Sequence, residues 1–284
     1  MPSIAILTTC LGRWRFLEQA YATWREHLPD LVEVCCVSDA RCPDSTLAKA
    51  KERGMRAVEV GLRSDEYGNP IFHKAKMLNA GAASLGVGRF DFLLLLDADT
   101  LVTAAFRGQL SEIPSSYYFA FCRAPLTKRD LTGVLVVSPY DWDFVGGMDE
   151  RFEGWGAEDL DLRLRLWTRA MRAFVRLNPN GLVSLSHSDD LRTQFYENKS
   201  KWDSLARNNA IMAVNYQRST GRELVRDLAE KVLVQELLGL TDELTQRGGT
   251  IKLVEDQQQA TGEVDEDQED GAPGAEGGDD PARP

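Results

Sequence analysis

The run Phe92-Leu93-Leu94-Leu95-Leu96 is followed at once by Asp97-Ala98-Asp99. Five large apolar residues in a row are too few to cross a bilayer and suit a buried strand. The chain then leaves that strand carrying two carboxylates, and polar residues at such a place are often functional. The residues ahead of it alternate in the same way. Positions 3–9, 32–38, 57–60 and 90–96 read as strands. Positions 16–27, 45–53 and 74–85 read as helices, the first with Phe16, Leu17, Ala20, Tyr21 and Trp24 at helical spacing. Gly54 and Gly86 stop the second and third helices. This β-α-β rhythm predicts an α/β fold, a mostly parallel central sheet flanked by helices, with ligands at the carboxyl ends of the strands.

The second half is less regular. Strands are expected over 117–122, 133–138, 173–177 and 181–186, and helices over 160–171, 199–217 and 223–238. From Glu255 the chain is Gln, Glu, Asp, Gly and Pro with almost no large apolar residue, a composition that does not offset its ordering entropy and predicts disorder. That tail also explains the charge. The chain carries a net −11, and the last thirty residues hold eleven acids against one Arg, so the body is close to neutral. No basic block argues for nucleic acid.

Five cysteines, an odd number without a CxxC, suggest a reducing compartment, with Cys35 and Cys36 as core thiols. The N-terminal Met-Pro-Ser-Ile-Ala-Ile-Leu-Thr-Thr-Cys has no basic segment and reads as a first strand, not a secretion signal. No apolar run reaches about 18 residues, so no membrane span is expected, although peripheral membrane association is compatible.

Three places carry chemistry. In Asp97-Ala98-Asp99 a turn would let the two carboxylates divide their work, one taking a divalent cation and the other bracing a sugar or ribose. A pyrophosphate leaving group needs such a cation. The plainer reading is an exposed acidic turn. The second place is Gly147 to Leu162, where glycines surround Trp155 and Glu158-Asp159 stand at a helix start. Trp155 offers a flat apolar face of the kind that stacks on a sugar. Acids at a helix N-terminus keep their charge and can act as a base. They could equally only cap and solubilise the helix, and for Asp161 that is the expectation. The third place is His187, at the end of an expected strand, where it could meet Asp99 at one metal.

Gly154-Trp155-Gly156-Ala157-Glu158-Asp159 resembles the acceptor-side motif of the β-1,4-galactosyltransferases and the related polypeptide and chondroitin N-acetylgalactosaminyltransferases. Phe72-His73-Lys74-Ala75-Lys76-Met77-Leu78-Asn79-Ala80-Gly81 resembles the donor-side segment of the same group. Four motifs stand in the family's order, from residue 4 to 187. The resemblance implies the GT-A (nucleotide-diphospho-sugar transferase) fold. It implies an inverting transfer of a hexose or N-acetylhexosamine from a UDP-sugar to a glycan or glycoconjugate hydroxyl, with Mn²⁺, or Mg²⁺ in its place. Asp99 and His187 would bind the metal, with Asp97 beside them and near the donor. Asp159 would be the base and Glu158 would hold hydroxyls. Trp155 and Gly156 would receive the acceptor. Thr9, Arg13, Asp39, Phe72 and Lys74 would line the nucleotide side. His73 would touch the donor or only cap its helix.

On this reading residues 1–220 form the catalytic domain, 1–100 its donor half and 101–220 its acceptor half. Residues 221–254 are a helical extension and 255–284 an acidic tail. The sequence departs from the family in carrying Lys at 74 for Arg, Leu at 160 for Asp, and Ser184-Leu185 where some relatives place a further ligand. It also lacks a Golgi anchor, which suits a cytoplasmic bacterial enzyme of polysaccharide synthesis. A nucleotidyltransferase would show a Gly-rich basic phosphate loop, of which Thr8 to Arg13 is a poor version. A non-catalytic sugar-binding module would have lost Asp97, Asp99, Asp159 or His187. A glycoside hydrolase needs carboxylates opposed across a bond, which adjacent Glu158 and Asp159 are not.

Overall fold

A computed structural model describes residues 2–86, 88–114, 118–122, 131–197 and 201–220. The expected helix at 223–238 and the acidic tail lie outside them. Nine strands and eight α-helices follow in order among these residues. They are β1 Ile4–Thr9, α1 Trp14–His27, β2 Leu31–Ser38, α2 Thr46–Glu52, β3 Arg56–Glu59, α3 Lys74–Leu85, β4 Phe92–Leu95, β5 Thr100–Val102 and α4 Ala104–Ser111. The second half holds β6 Tyr118–Cys122, β7 Leu135–Val137, α5 Pro139–Val145, α6 Glu158–Thr168, β8 Ala173–Leu177, β9 Leu182–Ser184, α7 Asp189–Thr193 and α8 Lys201–Thr220.

Seven strands form one sheet in the order β3-β2-β1-β4-β7-β6-β8. All neighbours pair in parallel except β7, which is antiparallel to β4 and to β6. The all-apolar strands are explained by cover on both faces. Ile4, Ile6, Phe92 and Leu94 join one core with Leu17 and Trp24 of α1 and Phe106 of α4. Ala5, Leu7, Leu93 and Leu95 join the other with Met77 and Leu78 of α3 and Leu162 and Leu166 of α6. Strand order reverses between β1 and β4, which opens a crevice at their carboxyl ends. Thr9 to Arg13 and Asp97 to Asp99 leave the sheet there.

The expected strand at 181–186 does not enter this sheet. Its core, β9, pairs antiparallel with β5 in a separate two-stranded sheet, with Leu101 opposite Val183. Helix α1 steadies that pair. Trp24 Nε1 donates to Thr100 O at 2.8 Å, and Thr23 Oγ1 accepts from Val102 N at 3.1 Å. Helices α4, α5 and α7 and strand β5 have no counterpart among the elements expected from the sequence.

Candidate active site

The turn after β4 separates the two carboxylates. Thr100 N donates to Asp97 O at 3.0 Å, closing the turn. Leu185 N donates to Asp99 O at 2.8 Å and continues the β5–β9 ladder towards His187. Asp99 Oδ2 and His187 Nε2 are consequently 2.7 Å apart, both nearly buried. Phe16 meets the imidazole edge-on at 5.8 Å between centroids, and Arg13 Nη1 lies 3.7 Å from the same Asp99 oxygen. A carboxylate oxygen and an imidazole nitrogen held in contact by two paired strands fit a divalent cation as two of its ligands. Among the described residues no third His, Cys, Asp or Glu completes such a group.

Asp97 faces the other way, towards α3. Its Oδ1 is 3.3 Å from Lys74 Nζ. The same ammonium donates to both oxygens of Asp159, at 3.2 and 3.0 Å, and lies 3.6 Å from Glu158 Oε1. Lys74 therefore joins the end of β4 to the start of α6. Burial pushes the Glu158 carboxyl up to about 7, with the charge of Asp159 acting in the same direction and Lys74 opposing. Burial raises Asp97 as well, against the pull of Lys74. Gly133, which the sequence reading passed over, makes room for this contact. A Cβ there would stand 2.6 Å from Asp97 Oδ2 and 3.1 Å from Lys74 Nζ.

The start of α6 is unusual. Its N-cap is Ala157 in the left-handed region at φ 69°, a strained conformation for a residue with a Cβ. Trp155, half-buried, lies between Gly154 at φ 75° and Gly156 at φ 98°. Helix α8 holds this loop closely. Trp155 N donates to Ser204 Oγ at 3.1 Å, and Asn208 Nδ2 lies within hydrogen-bond reach of the carbonyls of Glu153, Trp155 and Gly156 at 3.2, 3.4 and 2.9 Å. A Cβ on Gly156 would stand 2.7 Å from Leu205 Cδ1.

Asp161 corrects an expectation. It does not solubilise the helix but is fully buried, with Oδ2 accepting from Arg165 Nε at 2.8 Å and Oδ1 from Asn215 Nδ2 at 2.7 Å. Asn208, Met212 and Asn215 are buried at helical spacing, and two asparagines on one buried helix face were a readable sign of such polar contacts.

The residues expected on the nucleotide side are dispersed around the β1–β4 crevice. Thr9 ends β1, and Arg13 caps α1 while Nη2 donates to Leu191 O at 3.2 Å. Phe72 N donates to Phe195 O at 2.8 Å, and its ring stacks on Tyr196 at 6.3 Å. Asp39 is 2% exposed, and its carboxylate accepts from Arg41 N, Nε and Nη2 and from Leu62 N at 2.7–2.9 Å. Those bonds hold its pKa at about 2, Arg41 foremost, so the carboxylate orders its own loop. His73 is a helix cap, its Nδ1 accepting from Lys76 N at 3.3 Å.

One family, described as the N-terminal domain of galactosyltransferase, matches residues 117–188, a span that holds Trp155, Glu158, Asp159 and His187. A comparison with curated proteins gave no match. Among solved structures, S. aureus TarS 1–349 is similar at TM-score 0.52 and 12% identity, over 86% of this chain and 73% of that one. The catalytic domain of Drosophila β1,4-galactosyltransferase 7 in complex with xylobiose is similar at TM-score 0.46 and 20% identity, over 68% and 74%. The Mycobacterium tuberculosis glucosyl-3-phosphoglycerate synthase in complex with Mn²⁺, UDP and phosphoglyceric acid is similar at TM-score 0.48 and 14% identity, over 68% and 74%. The likeness to TarS bears on the fold, and the family match covers the stretch that carries Trp155, Glu158, Asp159 and His187. With the seven-stranded sheet, the likeness to TarS shows the GT-A fold, and residues 117–188 are similar to the N-terminal domain of galactosyltransferase.

Proposed function

We propose that the chain is a metal-dependent, inverting transferase that moves a hexose or N-acetylhexosamine from a UDP-sugar to a hydroxyl of a glycan or glycoconjugate. The observation that carries this reading is the convergence on Lys74 of Asp97 from the donor side and Glu158 and Asp159 from the acceptor side. Residues 1–220 would hold the whole activity, with 221–254 and 255–284 as appendages. The reading sets the chain in a bacterial cytoplasm, and five free, buried cysteines suit such a reducing compartment.

Asp99 and His187 would hold Mn²⁺ or Mg²⁺, which neutralises diphosphate charge when bound. Asp159 takes the proton of the acceptor hydroxyl as its oxygen attacks the anomeric carbon. The bond from that carbon to the diphosphate breaks in the same displacement, and the electron pair leaves with UDP. Lys74 keeps the base in place through its two hydrogen bonds. Glu158 orients hydroxyls, and Trp155 with Gly156 forms the bed for the acceptor.

The test is incubation with a panel of nucleotide sugars, acceptors and Mn²⁺, following UDP release and reading the product anomer by NMR. Release with inverted configuration is expected. Retained configuration would refute the single displacement, and release of another nucleotide diphosphate would refute the UDP assignment.

A further inference from the structure

Arg163 follows Asp159 by one turn of α6 and is 1% exposed. Its guanidinium stands 4.7 Å over the Phe121 ring. Phe121 and Cys122 end β6, on the sheet edge where β4 delivers Asp97. Among the described residues, neither Nε nor Nη2 of Arg163 has a hydrogen-bond partner. Its neighbour Arg165 also leaves Nη2 without a partner among the described residues, but its Nε bonds Asp161 and its Nη1 the carbonyls of Val145 and Gly147. A guanidinium carries five N–H donors in a planar fork, and burying it unanswered is strongly unfavourable. Glu158 and Asp159 are near enough to act on Arg163 through their charge. Both nevertheless turn their oxygens to Lys74.

We propose that Arg163 is the anion-recognising residue of the acceptor subsite, and that the enzyme's acceptor carries an acidic substituent, a carboxylate or a phosphate. The inference rests on reading Asp159 as the acceptor-side base. An acid entering a site lined by Asp97, Glu158 and Asp159 is repelled unless a cation meets it. Lys74 is engaged by those three and Arg13 faces Asp99. The fork of Arg163 matches two oxygens of a carboxylate or phosphate. Its burial adds a steric demand: the acid sits at the end of an arm, as the C6 carboxylate of a uronic acid or a phosphate ester does.

The test is calorimetric titration of the full chain with methyl β-glucuronide, methyl β-glucoside and glucose 6-phosphate, each with and without UDP and Mn²⁺. Wild type should bind an acidic probe about 10-fold or more tighter than the glucoside, the scale of one charge-assisted contact. Preference for glucuronide or for glucose 6-phosphate tells carboxylate from phosphate. Arg163→Gln should erase the preference while UDP affinity stays, and Arg163→Lys should keep part of it. Equal affinity for charged and neutral probes in wild type overturns the proposal, even where Arg163→Gln does not fold. So does a preference that survives Arg163→Gln. Failure of the glycosyltransferase reading would show separately, as missing UDP binding.

Discussion

Glu158 is set to change protonation near neutral pH. Its carboxyl is pushed up to about 7 by burial, from an unfolded value of 4.5. The folded chain thus keeps a proton that the unfolded chain has released. Glu158 therefore costs stability that begins near pH 4.5 and is complete above about 7. Glu158→Gln should stabilise the fold at pH 8 by an amount on the order of 1 kcal/mol, seen as a higher Tm, and change little near pH 4.5. The same variant should lose turnover, together with the rise of kcat/KM through pH 7 that is expected of wild type. Calorimetry and a pH–rate profile check both halves. Asp159→Asn should keep the shape of the site and the donor affinity, while turnover falls roughly 10²–10⁴-fold. Near-normal turnover would remove Asp159 from the mechanism. Asp99→Ala and His187→Ala should each weaken UDP binding in the presence of Mn²⁺ by roughly 10-fold or more, and little in its absence. Full wild-type activity in excess chelator would overturn the metal assignment. At this scale the sequence was informative where a residue ends a strand, as with Asp97, Asp99 and His187. It was silent on Gly133, whose value lies in what a Cβ would strike.

Helix α6 was legible from Glu158-Asp159 and its leucines, but its support was not. Arg165 and Asp161 face one another at i and i+4, a spacing that also suits an exposed pair. What buries them is α8, whose docking depends on contacts 49–66 residues away. Removing Asp161 would leave the Arg165 charge without its carboxylate, so Asp161→Ala should cost about 3–5 kcal/mol of stability. Urea titration followed by tryptophan fluorescence would measure it, and a loss below about 1 kcal/mol would contradict the buried pair. Asn208→Ala should act differently, raising the acceptor KM with UDP affinity kept, because it frees the carbonyls of the Trp155 loop. Helix α5 was missed although Ser138-Pro139 marks a helix start, with Ser138 Oγ accepting from Asp141 N at 3.0 Å. Strand β5 was missed because three residues after an acidic turn have no period to read.

For the molecule as a whole, the parallel half was legible because each strand is an apolar run between helices of clear period. The order of β6, β7 and β8 was not, since it rests on pairing between distant segments. The acidic C-terminal residues should be dispensable: a chain ending at Val254 should match the full chain in Tm and turnover, and a cooperative loss of thermal stability would contradict this. The small sheet of β5 and β9 has one more consequence. Asp99 and His187 are 88 positions apart and meet only when those two strands pair. On a ribosome, the parallel strands that would cradle the proposed nucleotide emerge long before Leu182 does. A nascent chain stalled between them would carry a formed donor crevice but no imidazole for Asp99. On the proposed metal reading, such a fragment would not activate the sugar–diphosphate bond until synthesis has passed β9 and His187.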